Sequence, residues 1–210
     1  MSQPPASRRE RYRREATDEI KRIAMRQLAE SGSAGISMSA IAKQMGMTGP
    51  ALYRYFSNRD ALITALIRDG YADLTRTVEG AAGRGAGRSA ADRLQAVAGA
   101  VRSWAREEPQ RYLLLFGTPI PGYRAPMDTV AEAFRPLNVL AGIAAELLGE
   151  PTPDDRALLL ATVAWARIHG VVSLELVGQF THLDMHPARL VAGEMNHLVA
   201  QIRSGSIDWQ

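Results

Sequence analysis

Ser37-Met-Ser-Ala-Ile-Ala-Lys-Gln-Met-Gly-Met-Thr-Gly-Pro-Ala-Leu-Tyr-Arg-Tyr-Phe-Ser-Asn-Arg-Asp60 is the stretch from which the fold is read. It encodes two short helices and a tight turn. Ser37 is a good N-cap for the first, from about Met38 to Met45, because its hydroxyl accepts a bond from an otherwise unpaired backbone N–H. Gly46 ends that helix, where a residue without Cβ takes the left-handed conformation of a helix terminus. The second helix starts near Gly49, with Thr48 as cap and Pro50 in the first turn, where its missing N–H costs nothing.

Three positions set how the two helices meet. Ala42 is small and permits close approach, Gly46 turns the chain, and Leu52 fills the space between, helped by Ile41 and Met45. Small, Gly four later, large aliphatic six further on is the spacing of a DNA-binding helix-turn-helix. With Leu52 inward, Gly49, Pro50, Ala51, Tyr53 and Arg54 face outward. That surface has a small tip, a phenol and a guanidinium, and suits a major groove about 12 Å wide. Spacing alone also fits a helical corner that touches no DNA.

The continuation Ala51-Leu-Tyr-Arg-Tyr-Phe-Ser-Asn-Arg-Asp-Ala-Leu62 resembles the TetR family of one-component transcription regulators. In that family a Tyr-x-x-Phe segment closes the recognition helix and a basic residue starts the next helix. The basic position, usually Lys, is Arg59 here. The resemblance covers roughly the first seventy residues. It implies an all-α protein with a DNA-binding head followed by a helical ligand-binding and dimerisation domain.

Charge follows the same division. Residues 1–60 hold 11 Lys/Arg and 6 Asp/Glu, net +5, and the remaining 150 hold 14 and 16, net −2. A positive end that carries a helix-turn-helix suits a polyanion. A solvated basic tail has the same composition. The chain has no Cys, so disulfides and thiolate metal sites are excluded, which fits a reducing cytoplasm. The longest apolar run, Ala157 to Ala166, is too short to span a bilayer, and no apolar segment follows the basic N-terminus as in a secretory signal.

Residues 1–9 are expected to be a disordered basic arm, a polar, Pro-containing start followed by Arg8, Arg9, Arg11, Arg13 and Arg14. Arg9 and Arg13 are the arm's candidates for DNA contact. A first helix from about Glu10 to Ser31 carries the stripe Ala16, Ile20, Ile23, Ala24, Gln27 and Leu28 and braces the helix-turn-helix. The DNA-binding domain is placed at 10–60 and the effector and dimerisation domain at 61–210. A long helix from a cap at Ser57 or Asn58 to about Glu79 bridges them, and residues 80–89 read as a flexible Gly-rich break.

Beyond it the chain reads as helices at about Ala91–Glu107, Pro109–Phe116, Pro126–Leu148 with a break or kink near Pro136, Asp154–Gln179 and Pro187–Ser204. Trp165-Ala-Arg-Ile-His169-Gly170, with Arg111-Tyr-Leu-Leu-Leu-Phe-Gly-Thr-Pro119 upstream, resembles TetR regulators whose C-terminal domain is named for a Trp–His-Gly signature. That second resemblance covers about residues 90–200 and leaves the ligand open. Trp104, Tyr112, Phe116, Phe134, Trp165 and His169 are the candidate effector contacts, since ligand pockets are largely apolar with a few polar groups. Core packing is the competing role of each.

No enzyme is expected. His169, His182, His186 and His197 lie apart without ligand spacing, and Ser173 lacks a Gly-x-Ser-x-Gly context, so no metal and no cofactor is assigned. Leu174, Val177, Val191, Met195, Leu198 and Ile202 mark the last two helices as a dimer interface, with burial inside one subunit as the alternative.

The resulting expectation is a homodimeric, cytoplasmic repressor released from a palindromic operator by a small molecule. Thr48, Tyr53 and Arg54 contact bases or their surroundings, and Gly49, Pro50 and Ala51 allow close approach. Ser37, Tyr55, Arg59 and the arm contact phosphates. An activator of the same fold, or a helical interaction protein without DNA binding, uses the same architecture.

Overall fold

A computed structural model describes residues 7–32, 35–83 and 87–207. Its regular structure is helical, in the order α1 (Arg8–Ser31), α2 (Met38–Gln44), α3 (Gly49–Tyr53), α4 (Arg59–Gly83), α5 (Ala90–Glu107), α6 (Pro109–Phe116), α7 (Val130–Leu148), α8 (Asp155–Leu176) and α9 (Pro187–Ser204).

Helix α1 begins at Arg8, so Arg8 and Arg9 are helical and not part of a disordered arm; Met1 to Ala6 lie outside the described residues. The cause is a capping box. The Ser7 N–H donates to Glu10 Oε2 at 2.7 Å, and the Glu10 N–H donates to Ser7 Oγ at 3.2 Å. Two orphan donors of the first turn are thereby satisfied reciprocally. These bonds hold the Glu10 carboxyl below the usual carboxylate range.

Two cores share one helix. The first joins Ile20, Ile23, Ala24 and Leu28 of α1 to Ile41, Ala42 and Leu52, and runs on through Leu62, Ile63, Leu66 and Ile67 of α4. The second starts at Leu74 of the same helix and continues through α5, α7, α8 and α9. The head therefore takes in more than two turns of α4, past position 60. Helix α4 ends at Gly83, so Gly80 to Gly83 extend the helix and do not belong to a break.

Helix α7 runs unbroken through Pro136, which is buried and deprives the Glu132 carbonyl of its usual donor. It starts later than 126, after a 3₁₀ turn at Met127–Thr129. Helix α8 ends at Leu176 and not at Gln179; the Val177 to Gln179 backbone turns back on it, with positive φ at Gly178. Helix α8 is long and apolar enough to cross a bilayer, with a mean hydropathy of 1.6. It packs instead against α5, α7 and α9. Val191, Met195 and Leu198 are buried inside the chain, where they complete the second core, and are therefore not an exposed dimer stripe.

Candidate nucleic-acid interface and ligand cavity

The turn between α2 and α3 is built as its sequence requires. Ser37 Oγ accepts from the Ala40 N–H, and the Ser37 N–H donates to Gln27 Oε1 of α1 at 2.9 Å. Gly46 adopts φ +63°, with the Gly46 N–H on Lys43 O and the Met47 N–H on Ala42 O. This pair of bonds is a Schellman motif, and it needs a left-handed residue at Gly46. Leu52 is 0% exposed and Ala42 only 4%, so α3 is pinned to α2.

The rest of α3 faces out. Thr48, Pro50, Tyr53 and Arg54 are exposed, with Tyr53 at 52%, while Gly49 and Ala51 are half-buried. The Thr48 hydroxyl makes no cap bond. Four of the other sequence-derived residues sit in different settings. Tyr55 is half-buried on the head core. Arg59 Nε donates to Ile36 O at 3.2 Å, tying the start of α4 to the chain before α2. Arg9 and Arg13 are exposed and four apart on α1, hence on one face.

The head is braced along α4 and against the chain that follows α6. Lys21 pairs with Asp69 at 2.7 Å, and Arg68 with Asp128 at 2.6 Å. The Thr64 and Tyr123 hydroxyls are 3.0 Å apart. Leu115 of α6 packs against both cores. It does so across Gly70 of α4, where an added Cβ would lie 3.2 Å from its nearest methyl. Gly70 is thus the residue that lets α6 sit down on α4.

Next to Leu115, Phe116 enters a cavity of about 170 Å³. Tyr71 and Leu74 of α4 form one wall and Trp165 of α8 another. Helix α7 closes it with Ala133, Phe134, Pro136 and Leu137. Of the six effector candidates, Phe116, Phe134 and Trp165 line this cavity. His169 and Tyr112 lie behind it, in ring contact with Phe116 at 5.5 and 5.2 Å. Trp104 does not reach it; its indole N–H donates to Asp73 Oδ2 at 3.0 Å.

Asp73 also receives Arg111 and Arg76, each at 2.8 Å. Partial burial pushes its carboxyl up, but the Trp104 N–H and the two guanidinium groups outweigh this and hold it below the usual range. Tyr112 and His169 form a buried polar pair, hydroxyl to Nδ1 at 2.6 Å. Burial raises the phenol and lowers the imidazole, so both are neutral at pH 7. The Tyr112 hydroxyl also lies 3.4 Å from the His169 carbonyl, so either neutral ring tautomer satisfies the pair. No group of three metal-binding side chains occurs among the described residues.

Two family models match in succession. "Bacterial regulatory proteins, tetR family" covers residues 21–66, and "Tetracyclin repressor-like, C-terminal domain" covers residues 94–198. The chain belongs to the TetR family of bacterial regulators. The HTH-type transcriptional regulator Rv1816 of Mycobacterium tuberculosis is 37% identical over 199 residues, which cover 80% of this chain and 85% of the relative. The crystal structure of the regulatory protein SCO4313 superimposes with a TM-score of 0.82 at 42% identity, covering 92% of this chain and all of that one. A protein of unknown function from Rhodococcus sp. RHA1 gives a TM-score of 0.73 at 25% identity, over 88% of this chain and 94% of that one. The head is thus the helix-turn-helix of a DNA-binding transcription regulator.

Sequence reasoning missed five cavity residues, Tyr71, Leu74, Ala133, Pro136 and Leu137. Tyr71 and Leu74 have the same helical spacing as the buried stripe of α4, so periodicity marks them as core.

Proposed function

We propose that this protein is a homodimeric transcriptional repressor, released from a palindromic operator when a small molecule enters the cavity between α4, α6, α7 and α8. The observation that carries this reading is the outer face of α3, a small tip followed by an exposed phenol and guanidinium above a fully buried Leu52. Tyr53, Arg54 and Thr48 read base edges, and Gly49, Pro50 and Ala51 let the helix backbone approach the groove floor. Ser37, Tyr55, Arg59, Arg9 and Arg13 position the head on phosphates. Such a regulator works in the cytoplasm, on the nucleoid, and has no catalytic task.

The second copy is supplied by an exposed apolar face. Leu159, Val163, Ala166, Gly170, Leu174 and Val177 of α8 and its end fall within about 80° of one another around the helix axis. Leu159 is 45% exposed, Leu174 46% and Val177 62%. Helix α9 presents Gly193, Ala200 and Ser204, small enough for close helix approach, on one side together with His197. Two copies of α8 and α9 about a two-fold axis make a four-helix bundle and set two heads in register with a palindrome.

Release follows from the connections of Phe116. A ligand that displaces Phe116 displaces α6, and Leu115 transmits the shift to α4 at Gly70. Helix α4 carries the head, so head spacing across the dimer changes. Full release needs a ligand preference of about 5.5 kcal/mol for the non-binding arrangement. Selection of bound fragments from genomic DNA tests the reading. Inverted repeats with half-sites about one DNA turn apart, or a multiple of it, support it, and fragments with a single unpaired half-site contradict it.

A further inference from the structure

We propose that the cavity between α4, α6, α7 and α8 takes a small, flat, uncharged aromatic compound of one or two rings. The regulatory consequence rests on the effector reading above; the ligand class rests on the walls themselves. None of the eight lining residues is charged, and four of them, Tyr71, Phe116, Phe134 and Trp165, are aromatic. A carboxylate or ammonium placed there would lose its hydration without gaining a counter-charge, which is prohibitive in an apolar site.

Three nearby cations are already engaged, and Arg135, exposed on α7 between Phe134 and Pro136, is not among the lining residues. Arg68, one turn before Tyr71 on α4, is held by Asp128 at 2.6 Å and Glu132 at 3.4 Å. Arg111 and Arg76 are held by Asp73. Recruiting any of them to an anionic guest would break an existing pair. The size agrees with the same class. At about 170 Å³ the space is close to the roughly 150 Å³ apolar cavity known to hold benzene.

Ring geometry favours a flat guest over a chain. Phe116 stands edge-on to Tyr71 at 83° and 6.1 Å between centroids, and is tilted 56° from Trp165 at 5.2 Å. Rings at these angles offer both faces and edges, and an aromatic guest uses both through offset and T-shaped contacts. One polar element is available. The Tyr71 hydroxyl and the Trp165 indole N–H have no hydrogen-bond partner among the described residues, and burial raises the Tyr71 phenol, which keeps its proton. A guest with a single ring acceptor satisfies one of these donors.

The test is calorimetric titration of the full-length protein at pH 8 with quinoline, its charged analogue quinoline-2-carboxylate, and the neutral aliphatic 1-hexanol. Quinoline should bind at least tenfold more tightly than either. Equal or tighter binding of the carboxylate or the alkanol would overturn the ligand class, as would heat from none of the three. Ala133→Leu, which fills the cavity, should weaken quinoline at least tenfold. Phe134→Ala, at the half-exposed rim, should weaken it about fivefold with an unchanged melting temperature. Unaltered affinity in both folded variants would place quinoline elsewhere and overturn the proposal. Tyr71→Phe keeps the ring and should weaken quinoline severalfold; no change would remove Tyr71 as the polar contact. Operator affinity with and without quinoline separates the two readings. Quinoline seated in the cavity without any effect on the operator supports the ligand class and refutes release.

Discussion

The outer face of α3 and the outer face of α8 are both exposed, and they are exposed for opposite reasons. Above a pinned Leu52, α3 shows Thr48, Pro50, Tyr53 and Arg54, polar or small groups that water solvates at no cost and that DNA can replace water against. Helix α8 shows Leu159, Ala166, Leu174 and Val177, which water does not stabilise. The first surface is complete as it stands and waits for a polyanion. The second is unfinished and calls for apolar cover, which the proposed second copy would supply. Exposure by itself is uninformative; the chemistry of what is exposed identifies the partner.

The largest expected effect attacks the α8 face. Replacing Leu174 and Val177 together by Asp puts like charges where two copies meet. Each apolar side chain contributes about 1.5–3 kcal/mol when buried, and the two-fold axis counts each twice. The dimer should weaken by at least about a thousandfold, roughly 4 kcal/mol. Sedimentation should show a monomer with a folded head, and a stable dimer would move the interface off α8.

Next comes the support beneath α3. Leu52→Ala empties a fully buried site and should cost roughly 2–5 kcal/mol by chemical denaturation, with loss of operator binding. A loss under about 1 kcal/mol would mean that α3 is not held by this contact. On the outer face, Arg54→Ala should cost about 1–3 kcal/mol on the operator and much less on random duplex. Equal losses on both would make Arg54 a phosphate contact.

The smallest effect concerns pH and lies behind the cavity. His169 is pushed below its usual value by burial, so the unfolded chain binds its proton first as pH falls. The stability that neutral His169 contributes is complete above about pH 6.5 and is lost as pH falls through the folded value. Denaturant midpoints should decline below pH 6.5, and His169→Gln should flatten that decline. An identical pH profile in the variant would free His169 from this role.

The two faces were not equally legible. The α2–α3 unit is local: Ser37, Ala42, Gly46 and Leu52 lie within sixteen residues, and each has a stereochemical task that its side chain announces. The Ser7–Glu10 capping box is equally local, but the surrounding arginines mask it and suggest an arm where the helix starts. On α9, Val191, Met195 and Leu198 announced burial without saying against what, and the answer is the protein's own core. Leu174 and Val177 kept their exposed status. The cavity was the least legible, because four helices far apart in sequence each contribute one or a few residues to it. Trp104 illustrates the limit: its ring suggested a pocket, but its N–H is committed to Asp73, thirty-one residues away.

The central claim, that α3 reads DNA sequence from a positively charged head, is tested most directly by competition. Anisotropy of a labelled duplex carrying the selected inverted repeat would be followed against unlabelled random duplex at rising salt. The account predicts that the selected duplex survives at least a thousandfold excess of competitor, with affinity falling steeply and linearly against the logarithm of salt concentration. Equal displacement by both duplexes at low ionic strength, or an affinity insensitive to salt, would contradict it.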